Sequence, residues 1–161
     1  SIVGQQISVK AAQSVWDRLE IKVRKINPKI IIITHSNTLK SVGLSRQKVK
    51  YLKNLASAFI EKKIKVSTWY KMNDEEIIQD LIQIKGVGRW TAEMFLIFNL
   101  CRADIFPLDD IGMIRGLCKL YNIQYPTNRE SVIKIGEKWK PYRSVATWYL
   151  WRSLDPIPVE Y

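Results

Sequence analysis

The sequence predicts an all-α protein, and three observations carry that expectation. Apolar residues recur at helical spacing along almost the whole chain, while two-residue alternation is scarce. Residues that favour helix N-caps (Ser8, Ser45, Asn73) stand directly before the periodic runs. Glycine and proline fall between the runs, at Gly43, Gly86, Pro107 and Pro141.

In chain order, "SVKAAQSVWDRLEIKV" reads as a first helix opened by Ser8. "KIIIITH" is β-branched enough for a strand but has no partner run, so it reads as a buried helical stretch. "SRQKVKYLKNLASAFIEKK" follows the Gly43 break and begins at Ser45. "NDEEIIQDLIQI" starts at Asn73 with acids in the first turn, where they suit the helix dipole, and stops at Gly86. "RWTAEMFLIFNL", "DDIGMIRGLCKLY", "NRESVIKIGEKW" and "YRSVATWYLWRSL" complete the set, and the tail "DPIPVEY" is proline-broken and extended. No repeat or linker interrupts the 161 residues, which predict one compact domain.

Lys and Arg outnumber Asp and Glu by 26 to 15, a net +11 that points to a polyanionic partner. Cys101 and Cys118 are too few for a disulfide framework or a four-thiolate iron–sulfur cluster, and read as buried, reduced apolar residues. Neither a secretory signal nor a run of about 18 apolar residues is visible, so the expected setting is cytoplasmic, away from membranes. The chain opens on Ser1 inside an ongoing motif, which predicts that it is truncated at the N-terminus.

The stretch "IKGVG" puts Gly86 at the end of one helix and Gly88 at the start of the next. Glycine costs a helix about 1 kcal/mol relative to alanine, so two of seven glycines here need a reason. A C-cap accounts for Gly86. Gly88 leaves room above the backbone N–H groups of a helix start, which is a ready anion site. Lys85 and Arg89 add positive charge, and Val87 lies between the glycines. Asp109 and Asp110 stand 21 and 22 residues beyond Gly88, after Pro107, at another helix start. Capping explains one of them; the other is left over. His35, the only histidine, lies far from both segments and is expected to be structural.

"LIQIKGVGRWTAEMFL" resembles the helix-hairpin-helix of the DNA glycosylase superfamily. With "DIFPLDDIGMIRGL", "EKWKPYRSVATWYLWRSL" and "SIVGQQISVKAAQSVWDRL", the chain resembles alkylpurine glycosylases of the 3-methyladenine DNA glycosylase II type over nearly its whole length. The hairpin would then span about residues 74–100 and the acid-bearing segment about 104–121. The resemblance implies a monomeric enzyme that flips damaged bases from duplex DNA and hydrolyses the N-glycosidic bond for base excision repair.

It also implies the roles. Asp110 falls on the catalytic position, with Asp109 as capping or supporting residue. Gln6 matches the residue that enters the duplex, and Gln5 would contact the orphaned base. Trp90 and Trp151 would wall the base pocket, with Met94 where the family has a tyrosine. Trp90 also occupies the position at which lyase-active relatives carry a lysine, so no Schiff base can form there. Lys85, Gly86, Val87, Gly88 and Arg89 would grip DNA, and Lys48, Lys50 and Lys53 could screen phosphates. No cofactor is required; the backbone carbonyls of Ile82, Ile84 and Val87 could hold Na+ or K+. The alternatives are a glycosylase for an oxidised or deaminated base and a non-catalytic DNA-binding module, and only the first group needs the acid.

Overall fold

The computed structural model describes residues 2–64 and 66–154. The extended tail expected at 155–161 lies outside the described residues. Within them the elements are helical, with no strand, and no helix is long and apolar enough to cross a membrane. The chain divides into two compact units, residues 1–92 and 93–161.

In the first unit a turn over residues 2–7 leads into α1 (Val9–Val23), whose cap Ser8 accepts the Ala11 N–H at 3.3 Å. The isoleucine run is helical: α2 (Pro28–Ile33) has Asn27 as its cap and Pro28 in its first turn, both favoured at helix starts. Its burial is less than expected. Four consecutive isoleucines wrap round a six-residue helix, so Ile31 is buried while Ile33 is 79% exposed. His35 is structural, as expected: its Nδ1 accepts the Asn37 N–H at 3.2 Å and caps α3 (Ser36–Ser41).

Ser45 caps α4 (Arg46–Ile60), and Asn73 with Glu76 forms a reciprocal capping box on α5 (Asp74–Ile82). Val15, Leu19, Ile31, Leu39 and Val49 knit α1 to α4 into one apolar cluster. Two of the lysines expected at phosphates have work inside the chain. Lys48 Nζ donates to the Val3 carbonyl at 2.8 Å, and Lys53 Nζ to that of Ile32 at 3.2 Å.

The unit boundary falls within α6 (Arg89–Phe98). The second unit continues with α7 (Ile111–Leu120), α8 (Arg129–Gly136) and α9 (Arg143–Arg152). Its core is Met113 and Leu117 of α7, Val132 of α8 and Leu150 of α9. Gly116 lets α7 and α9 meet: a Cβ there would lie 2.5 Å from the Leu150 carbonyl oxygen. The start of α9 is clamped by the Arg143 guanidinium on Asp104, at 2.7 and 2.8 Å, and by the Ser144 N–H on the Ala103 carbonyl. Cys118 is buried as expected, but Cys101 is exposed, because it stands in the loop after α6 rather than on a packed helix face.

Because the obstacle to a methyl at Gly116 is backbone, neither helix can yield by a rotamer change. Gly116→Ala should lower stability by about 1–3 kcal/mol, read as a shift in the urea midpoint; an unchanged midpoint would mean that α7 and α9 are not in this register.

Candidate functional site

The two glycines of the hairpin do different things. Gly86 has φ of +106°, a conformation side chains resist, and a Cβ there would sit 2.2 Å from Cγ of the Tyr51 ring. Its carbonyl accepts from Gln5 Nε2 at 3.1 Å, while the neighbouring Lys85 carbonyl accepts from Asn54 Nδ2 at 3.4 Å. Gly86 is thus required by the fold itself. Gly88 is not: its φ is not positive, and nothing lies within 4 Å of where a Cβ would be. Its carbonyl accepts the Ala92 N–H at 3.0 Å, so it immediately precedes α6 and stands exposed at the helix start. There the backbone N–H groups and dipole favour an anion.

The flanking cations divide. Lys85 is exposed. Arg89, expected to grip DNA, is a two-pronged partner of Glu75, with contacts of 2.9 and 2.6 Å. That pairing, helped by Gln79, holds the Glu75 carboxyl down to about 2 from its usual 4.5. The Arg89 charge is therefore partly neutralised, and its first service is to join α6 to α5.

Gln5 and Gln6 differ as well. Gln5 was expected at the orphaned base, but its amide turns into the hairpin, donating to the Gly86 carbonyl and, at 3.4 Å, to Thr91 Oγ1. Gln6 is exposed and holds φ of +58°.

In the second unit Asp110 is 7% exposed and N-caps α7. One oxygen does this: Oδ1 accepts the Met113 N–H at 2.6 Å and the Trp151 Nε1–H at 2.9 Å. The cap is therefore Asp110, and the expectation that Asp109 caps is corrected. Asp109 is exposed and points instead to Arg129 Nη1 at 2.7 Å. Gly112 gives the group room, since a Cβ there would come 3.2 Å from Asp110 Oδ1 and 3.3 Å from Trp151 Cδ1.

Trp151 is half-buried; its ring stacks on Phe98 with centroids 5.7 Å apart and planes 17° from parallel. Trp90 is 41% exposed near the start of α6. Met94, where the resemblance gives the family a tyrosine, is buried, 7% exposed. Sequence reasoning missed Phe98, Gly112 and Tyr51. The first two had a signal: Phe98 follows Met94 by one helical turn, and Gly112 and Gly116 share one α7 face four residues apart. Tyr51 had none. Among the described residues no group of three or more His, Cys, Asp or Glu could hold a metal ion.

Residues 1–141 match the HhH-GPD superfamily base excision DNA repair protein family. The chain belongs to that superfamily. A protein named DNA-3-methyladenine glycosylase 1, from Schizosaccharomyces pombe, is 33% identical over 157 residues, covering 95% of this chain and 69% of the relative. A crystal structure of DNA-3-methyladenine glycosidase from Bacillus halodurans superimposes with a TM-score of 0.85 at 32% identity, over 94% of this chain and 71% of that one. The S. pombe 3-methyladenine DNA glycosylase in complex with abasic DNA gives 0.84 at 33%, over 94% and 75%.

Two outcomes check this geometry. Gly86→Ala should cost about 2–4 kcal/mol of stability through its φ and the Tyr51 ring, whereas Gly88→Ala should stay within about 0.5 kcal/mol; equal losses in urea titrations would contradict the distinction. Glu75, with its acidity raised by Arg89, favours the folded state above its ordinary 4.5 and loses that contribution as pH falls towards about 2. Glu75→Gln should therefore lose less stability across that window than the parent, and parallel acid-unfolding curves would remove Glu75 from the acid response.

Proposed function

We propose that this chain is a monofunctional DNA glycosylase. It hydrolyses the N-glycosidic bond of alkylated purines, of the 3-methyladenine and 7-methylguanine type, in double-stranded DNA and leaves an abasic site for base excision repair. The observation that carries the reading is Asp110, a buried carboxylate fixed by two donors on a single oxygen.

Loss of a purine builds positive charge on the deoxyribose in an oxocarbenium-like transition state. A fixed carboxylate stabilises that charge where little water competes, and it can orient or deprotonate the attacking water. An alkylated purine is already cationic and leaves readily, so one acid suffices. Trp90, in place of an amine two residues after Gly88, excludes imine formation at that position. The target base must leave the stack to be reached; Gln6 enters the gap, and the exposed face of Trp90 offers the cationic base a π surface. Trp151 serves the acid, through its indole N–H.

The duplex is held at the open backbone of Gly88, by N–H groups at the α6 start and the charge of Lys85. A monovalent cation would fit the same corner. The carbonyls of Ile82, the last residue of α5, and of Ile84 beyond it lie where intrahelical partners run out, and that of Ile84 accepts the Val87 N–H at 2.9 Å. With the Val87 carbonyl they are neutral, hard oxygens suited to Na+ or K+, which would add positive charge beside a phosphate and take no part in bond breaking.

A non-catalytic reading has one observation behind it: Asp110 caps a helix, as aspartates often do. Capping does not account for the indole donor on the same oxygen. The deciding experiment uses Asp110→Asn, because Asn is an equally good cap and keeps Oδ1 for both donors. The variant should bind undamaged and methylated duplex like the parent while base release, measured without alkali, falls by at least about 100-fold. Gly88→Ala should do the reverse, weakening all duplexes alike. Release by Asp110→Asn at the parent rate would overturn the assignment.

A further inference from the structure

Two adjacent, chemically identical side chains take opposite courses. Gln5 is part-buried and spends its amide on groups 81 and 86 residues away, Gly86 O and Thr91 Oγ1. Gln6 is exposed and stands in the left-handed region at φ of +58°. A residue with a Cβ holds that conformation only where its surroundings over-determine it, and the turn supplies the fixed points. Ile2 and Val3 are buried, and Lys48 Nζ holds the Val3 carbonyl at 2.8 Å. On the far side Ser8 caps α1. Between them the turn carries, among the described residues, long backbone bonds, Gln5 N–H to the Ile2 carbonyl and Ile7 N–H to that of Gly4, each 3.4 Å. The Gln5 amide is therefore the strongest tie at the position next to Gln6.

The place it ties to is itself rigid. Gly86 is locked by its φ and by the Tyr51 ring beneath it, and Thr91, in the first turn of α6, is 8% exposed. The primary amide fits this pair of acceptors, offering one N–H to a carbonyl and the other to a hydroxyl. Glutamate offers neither, and methionine fills a similar volume with no donor.

We propose that Gln5 is a positioning residue. It fastens the N-terminal turn to the hairpin, so that the side chain entering the duplex, Gln6, is held in fixed register with the corner that grips the phosphate. Gln5 does this from within the protein and acts through Gln6. The inference rests on the glycosylase reading above and on Gln6 as the inserted residue.

The test is a double-mutant cycle on the full chain: parent, Gln5→Met, Gln6→Ala and both together. Single-turnover release of methylated purine and the fluorescence of a 2-aminopurine beside the lesion are read alongside affinity for undamaged duplex. Gln5→Met should slow release about ten-fold and cut the aminopurine signal in proportion, with undamaged-duplex affinity within about two-fold. In the Gln6→Ala background the same change should add less than about two-fold, because the group it positions is gone. Equal factors in both backgrounds overturn the proposal. If Gln5→Met does not fold, Thr91→Val removes one of the two acceptors and must show the same dependence on Gln6; independence overturns it. A parent chain that releases no methylated purine overturns the glycosylase reading instead, and the aminopurine signal then still reads whether Gln5 acts through Gln6.

Discussion

A single carboxylate oxygen organises the second unit. Asp110 Oδ1 takes the first-turn N–H of its own helix and the indole N–H of Trp151, forty-one residues on. Two donors on one acceptor fix the plane of the carboxyl, and that in turn fixes where its charge lies. Much else in the unit makes the arrangement possible. Gly116 admits the α9 backbone, Gly112 leaves space beside the oxygen, Arg143 and Ser144 pin the start of α9, and Phe98 sets the tilt of the indole by stacking. Electrostatic stabilisation of a transition state depends on such preorganisation, since a charge that must swing into place spends part of its effect on the swing.

The first unit solves a different problem, presenting bare backbone at one exact point. The hairpin is held from behind by Tyr51 and Asn54 of α4, from the side by Gln5, and at the base by the Arg89–Glu75 pair. Every one of these contacts leaves Gly88 uncovered. The +11 surplus of the chain then has a local meaning only in part, because Lys48, Lys53 and Arg89 already serve carbonyls or a carboxylate.

How much was legible follows from which physics is local. Helix periodicity and N-caps are short-range, so the all-α class, the caps at Ser8, Ser45 and Asn73, and even the helical state of the isoleucine run could be read directly. The hairpin glycines and the acid were visible as residues out of place. What failed was long-range. Nothing near Asp109 shows that its partner is Arg129, and the cap that was offered to Asp109, as capping or supporting residue, falls on Asp110 instead. Nor does the sequence show that Gln5 reaches a carbonyl contributed from the other end of the unit. Cys101 is exposed against expectation because burial statistics for cysteine describe packed elements, and this one stands in the loop after α6.

The backbone at Gln6 sets terms of its own. A left-handed residue with a side chain is most comfortable as asparagine or aspartate and least so when branched at Cβ. The vocabulary of side chains that evolution could install at this tip is thus narrowed before any nucleotide is met. Valine, isoleucine and threonine are disfavoured there by the peptide itself, and unbranched chains that reach forward are what the local geometry leaves open.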